Sequence, residues 1–403
     1  MSVAAATRRT EALIVSGART PMATYNTHFK DLSERELGAL AGREALRRSG
    51  IPPGKVDQVV FGNAMQTSDN ALYGARHVGL KAGVPESVPA LTVNRLCGSG
   101  IQAIVTAAGL LALDEADVVL AGGMENMTQA PHVIRGLRSG LRLGDAVLQD
   151  QLVAGLLDGV CGLTMSQTAE VLAGERGITR AEADRYALRS QQAAEAAHRA
   201  GRLREEIVPV TVRSKDGKKD VLVEEDNHRR PETTLEALAK LPPAFGGSGL
   251  VTAGNASGIV DGAAAVVMMS DRISRDAGLV PLGRVIAHGV CGVPPRIMGI
   301  GPVPSIRQAL SRAGLSLKEI DLFEINEAFA AQYLAVEKEL DLDRERVNVN
   351  GGAVALGHPL GATGTRLVLT LLLELRRRGG RYGVASACIG GGQGIAVVVE
   401  RRS

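Results

Sequence analysis

Twice along this chain a short apolar strand breaks at a glycine-rich turn and runs straight into a long apolar helix. The first case is Leu91-Thr92-Val93-Asn94-Arg95-Leu96-Cys97-Gly98-Ser99-Gly100-Ile101-Gln102-Ala103-Ile104, with the helix continuing over 101–113. The second is a strand over 347–350, a turn over 351–364 and a helix over 366–375. A strand that feeds a buried helix must share a core with it, so the unit predicts a sheet covered by helices. Its neighbours repeat in matched order. Strands over 11–15, 56–62 and 118–123 alternate with helices over 32–49 and 71–82, and a strand over 320–325 and another over 382–387 recur late in the chain with a helix over 306–313. The expected fold is therefore α/β, duplicated, with a mainly parallel sheet and the strand-end turns of both halves on one side. Ligands of such sheets bind beyond the carboxyl ends of the strands.

The pattern lapses in between. From 125 to 249 the chain is more polar, with a helix over 180–200 and a charged hairpin around Lys215 to Lys219. This reads as an inserted loop domain (125–249), leaving an N-terminal core of 1–124 and 250–275 and a C-terminal core of 280–403. A chain of 403 residues that is 45% hydrophobic can bury a core of that size.

Other features limit the partners. Net charge is only +3, Trp is absent, and no basic block is flanked by aromatics, which argues against nucleic acid. The one basic run, Arg376-Arg377-Arg378, ends an apolar helix, where cations favour the dipole. Four cysteines, at 97, 161, 291 and 388, have neither CxxC nor finger spacing, so no zinc site or disulfide framework is expected and a reducing compartment is. Residues 1–10 contain Arg8 and Arg9 but no apolar run, so no secretory signal is expected. The expected location is the cytoplasm, with the mitochondrial matrix as the alternative. No apolar run reaches the length of a membrane span.

Cys97 stands at a strand-to-helix junction. Peptide dipoles there favour a thiolate, and the small Gly98, Ser99 and Gly100 let a substrate approach. Taken alone, Cys97 better suits a small buried hydrophobe that caps a core helix. Three further turns supply what a thiolate needs: Asn326 in Asn326-Glu327-Ala328-Phe329, His358 in Gly357-His358-Pro359, and Cys388 in Cys388-Ile389-Gly390-Gly391-Gly392-Gln393-Gly394. His358 could serve as base, the N–H groups of the Gly390–Gly392 turn as oxyanion donors, and Cys388 as a thiol with a pKa not far above neutral that shuttles a proton.

These motifs, together with Asn94-Arg95-Leu96-Cys97-Gly98-Ser99-Gly100 and Gly254-Asn255-Ala256-Ser257-Gly258, resemble those of the thiolase family over nearly the whole chain. The resemblance is nearest to the degradative 3-ketoacyl-CoA thiolases of the mitochondrial-matrix and bacterial type. It implies a duplicated five-layer αβαβα fold with an inserted loop domain, and an acyltransferase that cleaves 3-oxoacyl-CoA with coenzyme A. By resemblance Cys97 is the acylated nucleophile, His358 activates it, Cys388 is the acid/base, and Asn326, through a water, joins His358 in holding the thioester oxygen. Backbone N–H groups of Cys97 and Gly390 form a second oxyanion hole, and Arg230, Thr233 and Ser257 contact coenzyme A. Coenzyme A and acetyl-CoA are substrates and products, and no metal or redox cofactor is implied. The resemblance also implies a homodimer or homotetramer, with 125–143 as the tetramer-forming loop. Biosynthetic acetoacetyl-CoA thiolases carry His where Thr164 stands here, which leans toward the degradative class. The other readings are an acetoacetyl-CoA thiolase, a ketoacyl synthase and a non-catalytic acyl-CoA-binding relative.

Overall fold

This computed structural model describes residues 10–214, 217–244 and 249–402. Arg8, Arg9, Lys215 and Asp216 lie outside them. The first half contains β1 (Ala12–Arg19), α1 (Glu34–Ser49), β2 (Gln58–Gly62), α2 (Gly74–Ala82), β3 (Ala90–Val93), α3 (Ser99–Ala112) and β4 (Val118–Glu125). Helix α1 starts where it does because Ser33 and Glu36 close a capping box, which satisfies two orphan N–H groups. The chain then passes through α4 (Met165–Arg176), α5 (Arg180–Arg199) and the hairpin β5 (Val210–Arg213) and β6 (Asp220–Val223), and returns as β7 (Val260–Ser270). The second half contains β8 (Gly283–Gly292), α6 (Pro302–Ala313), β9 (Leu322–Ile325), α7 (Ala330–Leu340), α8 (Leu360–Arg378), β10 (Tyr382–Ile389) and β11 (Gln393–Arg401).

All these strands except the β5–β6 hairpin join one sheet, in the order β9-β10-β11-β8-β1-β7-β4-β2-β3. It is mixed, which corrects the expectation of a mainly parallel sheet. β2 runs parallel to β3 and β4, and β9 parallel to β10; the pairs β4/β7, β7/β1, β1/β8, β8/β11 and β11/β10 are antiparallel. Side-chain alternation fixes which face of a strand is buried, not which way it runs. The tight Gly390–Gly392 turn forces β10 and β11 to be antiparallel.

The two halves meet at β1 and β8 through just two residue pairs, Leu13 with Arg284 and Ile14 with Gly283. From that seam the order β1-β7-β4-β2-β3 is mirrored by β8-β11-β10-β9. Among the described residues the mirror image of β3 is missing. The 347–350 stretch expected as a strand keeps one parallel bridge, Phe323 to Val347. Asn348 has φ 48 and folds its side chain back, accepting from Ile325 N and donating to Ile325 O at 2.9 Å each. That side chain takes over the bonding a strand would supply.

Five layers follow from the packing. One core joins α1 and α2 (Leu37, Val78) to the outward residues of the first half-sheet (Val59, Leu120). A second joins α3 and α8 (Ile104, Leu371) to Val119 on one side and Val397 on the other. A third joins α6 and α7 (Ile306, Val336) to Phe323 and Val398. The middle helices touch at matched glycines. A Cβ on Gly100 would lie 2.5 Å from Thr365 N, and one on Gly364 would lie 2.3 Å from Ile101 N. Only hydrogen there lets the two N-termini lie side by side.

The segment between β4 and β7 is tied to this frame. Leu172 of α4 and Tyr186 of α5 join the third core. Arg19, fully buried, bonds Glu206 at 2.7 Å and Asp226 at 2.6 and 2.8 Å. The basic run forms the last turn of α8, as expected: Arg378 bonds Glu374 at 2.6 Å and Arg377 bonds Glu205 at 2.7 Å. Among the described residues no helix is long and apolar enough to cross a membrane.

Candidate active site

Cys97 sits in a single 3-10 turn, Leu96–Gly98, between β3 and α3. The turn carries backbone strain, because Leu96 has φ 45 without being glycine. Side chains hold it there. Asn94 Oδ1 accepts from Leu96 N at 2.9 Å, Ser99 Oγ donates to Leu96 O at 2.7 Å, and Arg95 N donates to Ser99 Oγ at 2.9 Å. This explains a polar Asn and Ser flanking a cysteine in an otherwise apolar stretch.

His358 lies one residue before the N-cap of α8 and is buried. Its Nδ1 is 2.6 Å from Thr363 Oγ1, and that hydroxyl donates to Pro359 O at 3.0 Å. The hydroxyl must therefore accept, so Nδ1 carries the proton and Nε2 keeps its lone pair. Asn326 Nδ2 reaches Nε2 at 3.3 Å, while the buried Asn326 Oδ1 has no partner among the described residues. Burial, reinforced by the Arg366 charge, pushes the imidazole down to about 3. His358 is neutral at physiological pH.

A cavity of about 600 Å³ is lined by Cys97, His358 and Cys388, together with Ser257. Its walls are mostly apolar. Met65, Met127 and Leu360 cluster beside Cys97, and Met165, Met298 and Phe329 cluster around Cys388. Burial pushes the Cys97 thiol up to about 11, against the pull of the Gly390 N–H and its own N–H. This corrects the expectation of a thiolate favoured by the helix end: dehydration outweighs the dipoles. Cys388 is raised well above the usual thiol range by burial and by the neighbouring Cys97, so it too keeps its proton.

Not every expected residue lines this cavity. Arg230 is exposed and Thr233 half-buried, joined by a bond of 2.7 Å from Thr233 Oγ1 to Arg230 O. Neither lines the cavity, whereas Ser257 does. Thr164, which caps α4, also lines it. Thr363 was not singled out in the sequence; a hydroxyl five residues beyond a histidine, across a helix start, was the available signal.

Residues 12–272 match the family description "Thiolase, N-terminal domain", and residues 279–401 match "Thiolase, C-terminal domain". The chain belongs to the thiolase family. It is 52% identical over 388 residues to human mitochondrial 3-ketoacyl-CoA thiolase, covering 96% of this chain and 97% of that protein. It is 46% identical over 394 residues to an acetyl-CoA acetyltransferase of Cupriavidus necator, covering 98% and 100%. The crystal structure of the human mitochondrial enzyme in complex with CoA superposes with TM-score 0.94 at 51% identity, covering 98% of each chain. Fold and family thus agree with the thiolase resemblance carried by the sequence motifs.

Proposed function

We propose that this thiolase-family enzyme is a 3-ketoacyl-CoA thiolase that cleaves 3-oxoacyl-CoA with coenzyme A to acetyl-CoA and a shortened acyl-CoA. The observation that carries this is the meeting of Cys97, neutral His358 and protonated Cys388 in one apolar cavity. Cys97 attacks the 3-keto carbon as its proton passes to His358 Nε2. The oxyanion lies against the Cys97 and Gly390 N–H groups. The C2–C3 bond breaks, leaving an acyl-Cys97 thioester, and the acetyl-CoA enolate takes the Cys388 proton at C2. The thiol of coenzyme A then gives its proton to the Cys388 thiolate and attacks the thioester. Cys97 leaves and recovers its proton from His358. Splitting the displacement in two is the gain from a covalent nucleophile. A water donating to Asn326 Oδ1 has its second proton free for the thioester oxygen.

Arg230, Thr233 and Ser257 are proposed coenzyme A contacts; Ser257 lines the cavity and the exposed Arg230 suits a phosphate. No metal or redox cofactor enters any step, so activity should survive EDTA. The role extends to fatty-acid beta-oxidation, in a homodimer or homotetramer. Fractionation decides between the cytoplasm and the mitochondrial matrix, the latter matching the relatives named mitochondrial. An acetoacetyl-CoA thiolase is the second reading, favoured by the C. necator relative. A substrate series from C4 to C16 separates them, since activity confined to C4 would overturn the first.

Mass spectrometry after brief incubation with 3-oxoacyl-CoA should find the acyl group on Cys97. Acylation at another residue, or none, would refute the mechanism. Cys388→Ala should still acylate from a preformed acyl-CoA but lose Claisen chemistry, and normal turnover by that variant would remove Cys388 from the scheme.

A further inference from the structure

Strand β4 is apolar from Val118 to Met124 and ends in a fully buried carboxylate, Glu125. Both of its oxygens are used twice. Oε1 accepts from Asn63 Nδ2 at 2.8 Å and Met65 N at 3.0 Å; Oε2 accepts from Ala64 N at 3.0 Å and Gly361 N at 2.9 Å. Gly361 lies in the first turn of α8, three residues beyond His358. On the other side, Ala64 O accepts from Asn94 Nδ2 at 2.9 Å, and Asn94 Oδ1 holds Leu96 N at 2.9 Å. Polar contacts therefore run from the Cys97 turn, through Asn94, Ala64 and Glu125, to the helix start that carries His358.

We propose that Glu125 is a positioning residue that sets the turn bearing Cys97 in register with the turn bearing His358. The proposal rests on the reading of Cys97 as nucleophile and His358 as base. The residue type is what the site demands. Four donors converge, and only a carboxylate offers four acceptor positions with no competing donor. A Gln in its place would set an NH₂ group against two N–H groups. Burial pushes the carboxyl up to about 7, with three backbone N–H groups pulling back and the Glu34 carboxylate adding to the rise. When ionised, its charge also bears on Cys97 and disfavours the thiolate. Loss of Glu125 should therefore do two opposite things: misplace the sulfur relative to the imidazole, and make that sulfur easier to ionise.

Full-length Glu125→Gln, Asn94→Ala and the double variant test this with two readouts. One is single-turnover acylation of Cys97 by substrate; the other is the pH profile of Cys97 alkylation by iodoacetamide. Glu125→Gln should acylate roughly 100-fold more slowly, the scale of a misplaced reacting pair, while its alkylation midpoint moves to lower pH. Asn94→Ala cuts the same path but keeps the charge, so acylation should fall about 10-fold with the midpoint unmoved. The double variant should be no slower than Glu125→Gln alone, because both changes cut one path. Acylation by Glu125→Gln within about twofold of the parent, an unmoved or raised midpoint, or additive losses would overturn the proposal. If Glu125→Gln does not fold, Asn94→Ala decides, and acylation within about twofold of the parent overturns the proposal. Failure of the catalytic reading is distinct: the parent protein itself would then show no acyl-Cys97.

Discussion

The nucleophile's turn and the base's turn occupy matching places in the two halves, yet they are built in opposite ways. Cys97 is half-buried, in a strained turn pinned by Asn94 on the exposed rim and by Ser99 beneath it, with Leu96 exposed. His358 is buried on a turn where every residue from Ala353 to Leu375 is buried, and its ring is held by the Thr363 hydroxyl at Nδ1 and the Asn326 amide at Nε2. The difference follows from the two tasks. A nucleophile must meet a substrate, so its turn faces the cavity and is rigidified locally. A base that must be neutral is kept so by dehydration, which only a fully packed site provides. One architecture, used twice, yields a half-buried turn for the thiol and a fully buried one for the imidazole, with both groups dry enough to stay uncharged.

The sharpest way to break this contrast is to remove the base. His358→Ala should slow Cys97 acylation by about 10³-fold, within the usual range for a lost general base, while iodoacetamide still reaches the thiol. A loss below about tenfold in stopped-flow acylation would mean the desolvated imidazole is not the base.

Next is the contact that places the two turns side by side. Gly100→Ala puts a methyl 2.5 Å from Thr365 N, a backbone atom that cannot step aside. Urea unfolding should show a loss of about 3 kcal/mol. Unchanged stability would show that α3 and α8 can part without cost.

The pH responses should also differ. With Cys97 raised to about 11, its alkylation should climb about tenfold per pH unit from 7 to 10. No step up should appear near 6.5, because folded His358 refuses a proton until about 3; ionisation of Glu125 near 7 acts the other way and only flattens the climb there. The unfolded chain accepts that proton near 6.5, so the contribution of His358 to stability is complete above 6.5 and is lost as pH falls toward 3. A step in alkylation at 6.5 would restore the thiolate–imidazolium picture.

The smallest effect is expected from the hydroxyl that orients the ring. Thr363→Val leaves Nδ1 without an acceptor, which should cost about tenfold in acylation with little change in KM. Thr363→Ser should recover most of it. Equal loss in both would place the role of Thr363 in packing.

The four chemical turns were legible because each places a reactive or hydrogen-bonding side chain just past an apolar stretch, three of them within two residues of a glycine. The α3 and α8 helices were legible from their apolar length. Strand direction was not, since β1, β7 and β8 pair with strands far away in sequence and alternation is blind to direction. The strand expected over 347–350 failed because Asn348 supplies with its side chain what a ladder would have supplied. The thiolate expected at Cys97 failed because sequence shows the helix end but not the dry walls around it. Glu125 left a signal that could have been used: a single acid closing an all-apolar strand calls for a reason.

The reacting groups come from positions 97, 358 and 388, and their cavity is walled by both halves and by the segment between them. During synthesis, then, the sulfur leaves the ribosome more than half a chain ahead of the imidazole that is to govern it. Until the last strands join the sheet it lacks the imidazole, the second thiol and the Gly390 N–H that surround it later. Reactivity is thus a late product of assembly, and a nascent or truncated chain carries the nucleophile without the means to use it.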